Sequence, residues 1–182
     1  MQSFERKTAL LVALAVLAAS PVSRGAPSGA EDELKSATIL LFLRHATWPE
    51  KVDAKGPITV GVVGRSSFAQ TLRTFLDGKS VNGRAVRTVE LKPAFDPRCC
   101  QAIYFAADKN TEIRQALQET GLAHTLTIGD ADRFIDLGGA VNLLLVDGHM
   151  AFEVSLEALD RAGIEISSKL LRLGQIKQRR TE

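Results

Sequence analysis

Apolar residues along the chain alternate between short continuous runs and helical spacing, as strands interleaved with helices do. The pattern opens at residues 33–46, where Leu34, Ala37 and Leu41 share one helical face. Ile39, Leu40, Phe42 and Leu43 carry apolar surface around most of the rest. A helix apolar on every side must be covered on every side, which predicts a sheet beneath it and a second subunit above. Trp48-Pro49 ends it, because the residue before a proline is pushed out of the helical region.

The run 58–63 (ITVGVV) reads as a strand buried on both faces. Ser66 or Ser67 caps a helix carrying Phe68, Leu72, Phe75 and Leu76 at helical spacing, and Gly78 ends it. Asn82-Gly83 turns the chain into a strand at 85–91, whose mixed polarity suits a sheet edge. Residues 101–106 form another buried strand, and Asp108 caps a helix with Ile113, Ala116 and Leu117 inward, closed by Gly121. A fourth strand follows at 124–128. The pattern then changes: 140–146, Asp147-Gly148 and 149–154 read as a hairpin with a tight turn. Ser155 caps a short helix stopped by Gly163, and Ser167 or Ser168 starts a last one with Leu170, Leu171 and Leu173. The sum is a single three-layer α/β domain: four mainly parallel strands of the flavodoxin or Rossmann kind, extended by an antiparallel C-terminal hairpin.

The ends add a location. Arg6 and Lys7 precede an unbroken apolar run, Ala9 to Ala19, followed by small residues and Pro21, the arrangement of a secretory signal peptide. Residues 1–25 are assigned to it, with the end between 20 and 30. The run is too short to span a bilayer about 30 Å thick, and no cysteine is at hand for lipid attachment. Residues 26–33 read as a disordered lead-in, 34–175 as the domain and 176–182 as a frayed tail. The rest of the 182-residue chain has the 45% hydrophobic and 24% charged balance of a globular domain, which confines disorder to the ends. Of 23 basic residues, Arg6, Lys7 and Arg24 precede Glu31, and of 21 acidic ones only Glu5 does. From Glu31 onward 20 charges of each sign balance. Nucleic-acid binding needs a clustered positive field, and none is visible.

Reactive groups are sparse. His45, His124 and His149 lack partners at ligand spacing, no nucleophile elbow is present, and no metal, cofactor or catalytic residue is assigned. The turn Gly64, Arg65, Ser66, Ser67 occupies the place where doubly wound folds hold phosphates. It lacks the glycine pattern of a dinucleotide site, so it reads as a helix cap or a turn for a small anion. Asp130 and Asp132 suit either a cation or the cap of a short helix. Cys99 and Cys100 are adjacent; a strained ring, a bond to another chain and plain packing of free thiols all remain open. Arg44, Trp48 and Pro49 are candidates for protein contact, since tryptophan and arginine dominate interface energetics. Trp48 alternatively seals the bottom of the core.

Together these motifs resemble the YfiR-like family. Residues 37–50 (ATILLFLRHATWPE) are similar to its first helix with the closing Trp-Pro, and 58–68 (ITVGVVGRSSF) to its first strand and glycine turn. GKSVNGRAV (78–86), Cys100 followed by QAIYFA, and the stretch 138–173 complete the series in order and spacing. The resemblance implies a periplasmic protein that binds the outer domain of an inner-membrane diguanylate cyclase, or another sensor, and restrains it. An OmpA-like, peptidoglycan-associated lipoprotein would sequester the inhibitor, and homodimers would suit the apolar first helix. Better-studied members carry two separated cysteine pairs. This chain keeps one cysteine in the usual place, Cys100, adds Cys99, and has none in the hairpin. A small-ligand sensor using the turn at Gly64 is the competing reading.

Overall fold

The apolar run at 58–63 becomes a strand with parallel neighbours on both sides, which is why it reads as continuous rather than alternating. A computed structural model describes residues 29–49, 56–64, 67–92, 95–106, 110–119 and 123–179. The expected signal peptide, Arg65, Ser66, Asp108, Gly121 and residues 180–182 lie outside the described residues.

The strands are β1 (Ala46–Thr47), β2 (Ile58–Val63), β3 (Ser80–Val81), β4 (Arg84–Leu91) and β5 (Ala102–Phe105), then β6 (Leu126–Gly129), β7 (Val141–Val146), β8 (His149–Val154), β9 (Glu165–Ile166) and β10 (Gln175–Ile176). The helices are α1 (Gly29–His45), α2 (Ser67–Leu76), α3 (Asn110–Glu119), α4 (Phe134–Leu137), α5 (Leu156–Ala162) and α6 (Ser168–Leu171). Eight strands form one sheet in the order β10-β8-β7-β6-β5-β2-β4-β3. The stretch from β4 to β7 is parallel throughout. Counted from β2, it reads 2-1-3-4-5, the doubly wound flavodoxin-like order. The expected α/β class and the antiparallel hairpin are both present: β7 pairs β8 from Val146↔His149 to Val141↔Val154. Asp147 (φ 50°) and Gly148 (φ 78°) form its turn in the left-handed region.

Side chains alternate between two apolar layers. Val60, Val62, Tyr104, Ile128 and Phe152 face the layer shared with α1 and α2, while Ile103 and Phe105 face Ile113 of α3 and Phe134 of α4. Phe42 meets Phe152 edge-on at 4.9 Å, tying α1 to the hairpin. The short ladder β1–β9 holds the end of α1 to the segment after α5, and Ser167 N–H donates to the His45 carbonyl.

Two boundaries differ from the sequence pattern. Helix α1 begins at Gly29, inside the expected lead-in, because Glu31 and Asp32 supply acid to its first turn and Lys35 pairs with Glu31 at 3.0 Å. The expected frayed tail is tied down through Arg179. β10 runs parallel to β8, Lys177 N–H donates to the Val154 carbonyl, the Lys177 ammonium pairs with Glu153 at 2.5 Å, and Arg179 Nε donates to the Asp136 carbonyl.

Candidate functional site

Helix α1 buries Ile39, Leu40, Phe42 and Leu43 against the sheet, yet its apolar surface continues outward. Leu34 is 43% exposed, Ala37 is exposed and Leu41 half-buried, so a second stripe runs along the helix away from the core. Beside it α2 contributes Phe75, and the two helices frame a groove of about 400 Å³ lined by Ala37, Leu40, Leu41, Arg44, Phe75 and Lys79. Lys79 Nζ stands 4.5 Å from the Phe75 ring centre. Arg44, exposed in the last turn of α1, supplies a second positive charge. An apolar floor with two basic groups on its rim suits a protein surface with acidic residues around an apolar patch.

The structure separates the three residues read as a contact patch. Arg44 belongs to this groove. Trp48 is half-buried against the core, and its indole N–H donates to the Gln101 carbonyl at 2.9 Å, directly before β5. Pro49 is half-buried and lies against Gly163. Trp48 therefore joins the end of α1 to the start of a central strand.

At the opposite, carboxyl ends of the strands, Gly64 (φ 96°) turns the chain out of β2 and Ser67 begins α2. β2 and β5 part company here: Ala106 N–H donates to the Val63 carbonyl at 2.8 Å, and the chain crosses to opposite faces beyond. This switch point is where doubly wound sheets bind ligands. A cluster that the sequence showed only through Asp130 stands beside it. Lys35 Nζ reaches Asp130 Oδ2 at 2.7 Å and stands 6.0 Å from the Phe68 ring centre. Burial disfavours the charge on Lys35, but its hydrogen bonds and charge pairing with Asp130 and Glu31 win and hold the ammonium above the usual range. Burial, reinforced by Asp130, pushes the Tyr104 phenol far up, so it stays neutral and donates to the carboxylate. The signal was the Gly129-Asp130 step at a strand's carboxyl end; its partner, 95 residues away, is a matter of topology.

Cys99 is exposed at the end of a 3-10 turn (Pro97–Cys99) and Cys100 is buried; both are free thiols. His45 lies at the end of α1, His124 precedes β6, and His149 opens β8. Among the described residues, no three His, Cys, Asp or Glu side chains converge as metal ligands would, and no helix is long and apolar enough to cross a membrane. The model of the YfiR/HmsC-like family matches residues 32–175. No curated protein matches the chain.

Proposed function

The chain belongs to the YfiR/HmsC-like family, and from that premise we propose that it is an exported regulator that inhibits an inner-membrane diguanylate cyclase by binding its periplasmic domain. The family is periplasmic and regulatory, and it acts in cyclic di-GMP signalling. Residues 1–25 would direct export. The cyclase makes its product on the cytoplasmic side, so the regulator would work through protein contact: by docking better to one conformation of the cyclase's outer domain, it shifts that population toward the inactive state. An OmpA-like lipoprotein competing for the regulator would reverse the shift.

The observation that carries the docking reading is the outward apolar stripe of α1 beside Phe75, rimmed by Arg44 and Lys79. Leu41→Glu with Arg44→Glu should abolish co-purification with membranes bearing the cyclase, while leaving the circular dichroism spectrum unchanged. Undiminished capture by a folded double variant would refute this docking surface. Sedimentation of the same variant distinguishes the other occupant, a second copy: a dimer lost along with nothing else would assign the stripe to self-association. A fusion reporter retained in the cytosol would refute the whole reading.

The sheet order favours one second reading, a small-ligand sensor at the switch point beside Gly64 and Ser67. A ligand bound there raises the melting temperature, because it stabilises only the folded state. A metabolite panel that leaves Tm unchanged argues against it.

A further inference from the structure

Successive side chains on an extended strand point to opposite faces, so neighbouring cysteines ordinarily keep their sulfurs apart. Here the 3-10 turn that ends at Cys99 swings its side chain round to the side of Cys100, and the two Sγ atoms stand 2.7 Å apart. They are free thiols inside non-bonded contact distance, and the chain has no other cysteine. Cys100 packs against Gly61 and Leu91, where a methyl group on residue 61 would reach to 3.0 Å from its sulfur. The buried thiol is thus held in a fixed place and the exposed one is held over it.

The backbone from Cys100 onward is tightly tied. The Cys100 carbonyl accepts from Thr125 Oγ1 at 3.2 Å. The next carbonyl, that of Gln101, accepts both Leu126 N–H and the Trp48 indole at 2.9 Å, and the Gln101 side chain accepts from Thr59 N–H at 2.7 Å. Gln101, the residue directly after the pair, thus holds the chain's only tryptophan through its carbonyl.

We propose that Cys99 and Cys100 form a reversible dithiol–disulfide pair, closed by exchange with a small or protein disulfide, whose state is transmitted through Gln101 to Trp48. The exposed Cys99 thiolate attacks one sulfur of the donor disulfide, breaking the donor's S–S bond and releasing one donor thiolate. The Cys100 thiolate then attacks the Cys99 sulfur of the mixed disulfide, and the second donor thiolate leaves. One Sγ–Sγ bond forms within the chain, one breaks in the donor, two electrons pass to the donor, and the two protons of the cysteines go to the released thiolates. Burial and the neighbouring Cys99 push the Cys100 thiol up, which makes it the second to react rather than the first. Adjacent Cα atoms, about 3.8 Å apart, lie closer than the roughly 4.4 Å minimum of relaxed disulfides, so the ring is strained and readily reduced. Export, if the proposed function holds, supplies the oxidising surroundings; the chemistry itself needs only purified protein.

The test treats the purified chain with oxidised glutathione, then alkylates and weighs the peptide carrying both cysteines. The expected product has lost two hydrogen atoms, takes no alkyl group, carries no glutathione, and recovers two alkylatable thiols in dithiothreitol. Emission from Trp48 should differ between the two states and return on reduction. Cys99→Ser, which removes the exposed thiol and leaves the buried packing intact, should show neither the mass loss nor the emission change. Two thiols that remain alkylatable, a stable glutathione adduct, or a bond between two copies would each overturn the pair. A ring that forms without moving the Trp48 emission would overturn the transmission. A cytosolic location with the ring still closing in vitro would sink the proposed function and leave this chemistry standing.

Discussion

The ammonium of Lys35, on the first helix, sits 2.7 Å from the carboxylate of Asp130, which lies immediately beyond β6. The contact closes one end of the sheet: the Lys35 side chain is only 12% exposed, and Asp130 also receives the neutral Tyr104 phenol.

Lys35→Met should therefore leave Asp130 and Glu31 without their cation, at a cost of about 1–3 kcal/mol for a half-buried charged group losing its partner. For a chain of this size that is about 2–4 °C of Tm per kcal/mol. The sign with pH follows from the raised Lys35 value. The pair contributes fully below the ordinary lysine value of 10.5 and is lost as pH rises through the higher folded one. Thermal scans of wild type and variant should differ at neutral pH, begin to approach each other above 10.5 and meet only above the raised folded value. A gap that persists in strong alkali would show that packing of the lysine stem, rather than its charge, is what matters.

Phe134 offers a sharper steric test. Its ring lies between Gly129 and Gly139, and a methyl group on either glycine would overlap it. Phe134 is fully buried and meets Phe105 at 5.8 Å, so it has little room to retreat. Gly139→Ala should destabilise by about 1–3 kcal/mol through overpacking. Adding Phe134→Leu should return part of that loss, and denaturant melts of the two single variants and the double variant measure the coupling. Strict additivity would show that the ring and residue 139 do not interfere.

These two relationships mark where reading from sequence stops. The strand and helix order was visible because period and punctuation are local: 58–63 is continuous, Phe68 to Leu76 is helical, and Asp147-Gly148 can only turn. The parallel sheet followed from that alternation. The partners of Lys35 and Trp48 were not visible, since each lies on an element whose position depends on the sheet order. Gly139 leaves space for the Phe134 ring, a steric role that no local pattern announces. The two-residue strands β1, β3, β9 and β10 carry too few residues for any period to register. The candidate groove was half legible: the all-round apolar character of α1 called for a cover, but Phe75 and Lys79 joined it only through helix packing.

Trp48 is placed to distinguish structure from recognition. Trp48→Phe keeps an apolar ring and deletes the bond to Gln101, which should cost about 0.5–1.5 kcal/mol. Trp48→Ala also empties space beside the core and should cost more. Circular dichroism before any binding assay separates the two roles. If Trp48→Phe melts like wild type yet loses capture by the cyclase, the indole is a contact residue after all, and its bond to Gln101 contributes nothing to the fold.

The hairpin turn yields the plainest prediction, because geometry there acts without packing. Gly148 sits at φ 78°, and nothing lies within 4 Å of where a methyl group on it would stand, so no clash accompanies a substitution. The whole penalty is backbone: a β-branched residue resists the left-handed region, at about 1–2 kcal/mol for a residue forced into it. Gly148→Val should lower Tm by several degrees, and Gly148→Asn, which tolerates that region, by much less. The turn also sets the register from Val146↔His149 inward, so a slipped hairpin would turn the buried Leu143 and Phe152 toward water. Equal melting of the valine and asparagine variants would mean that the turn adopts another geometry in solution.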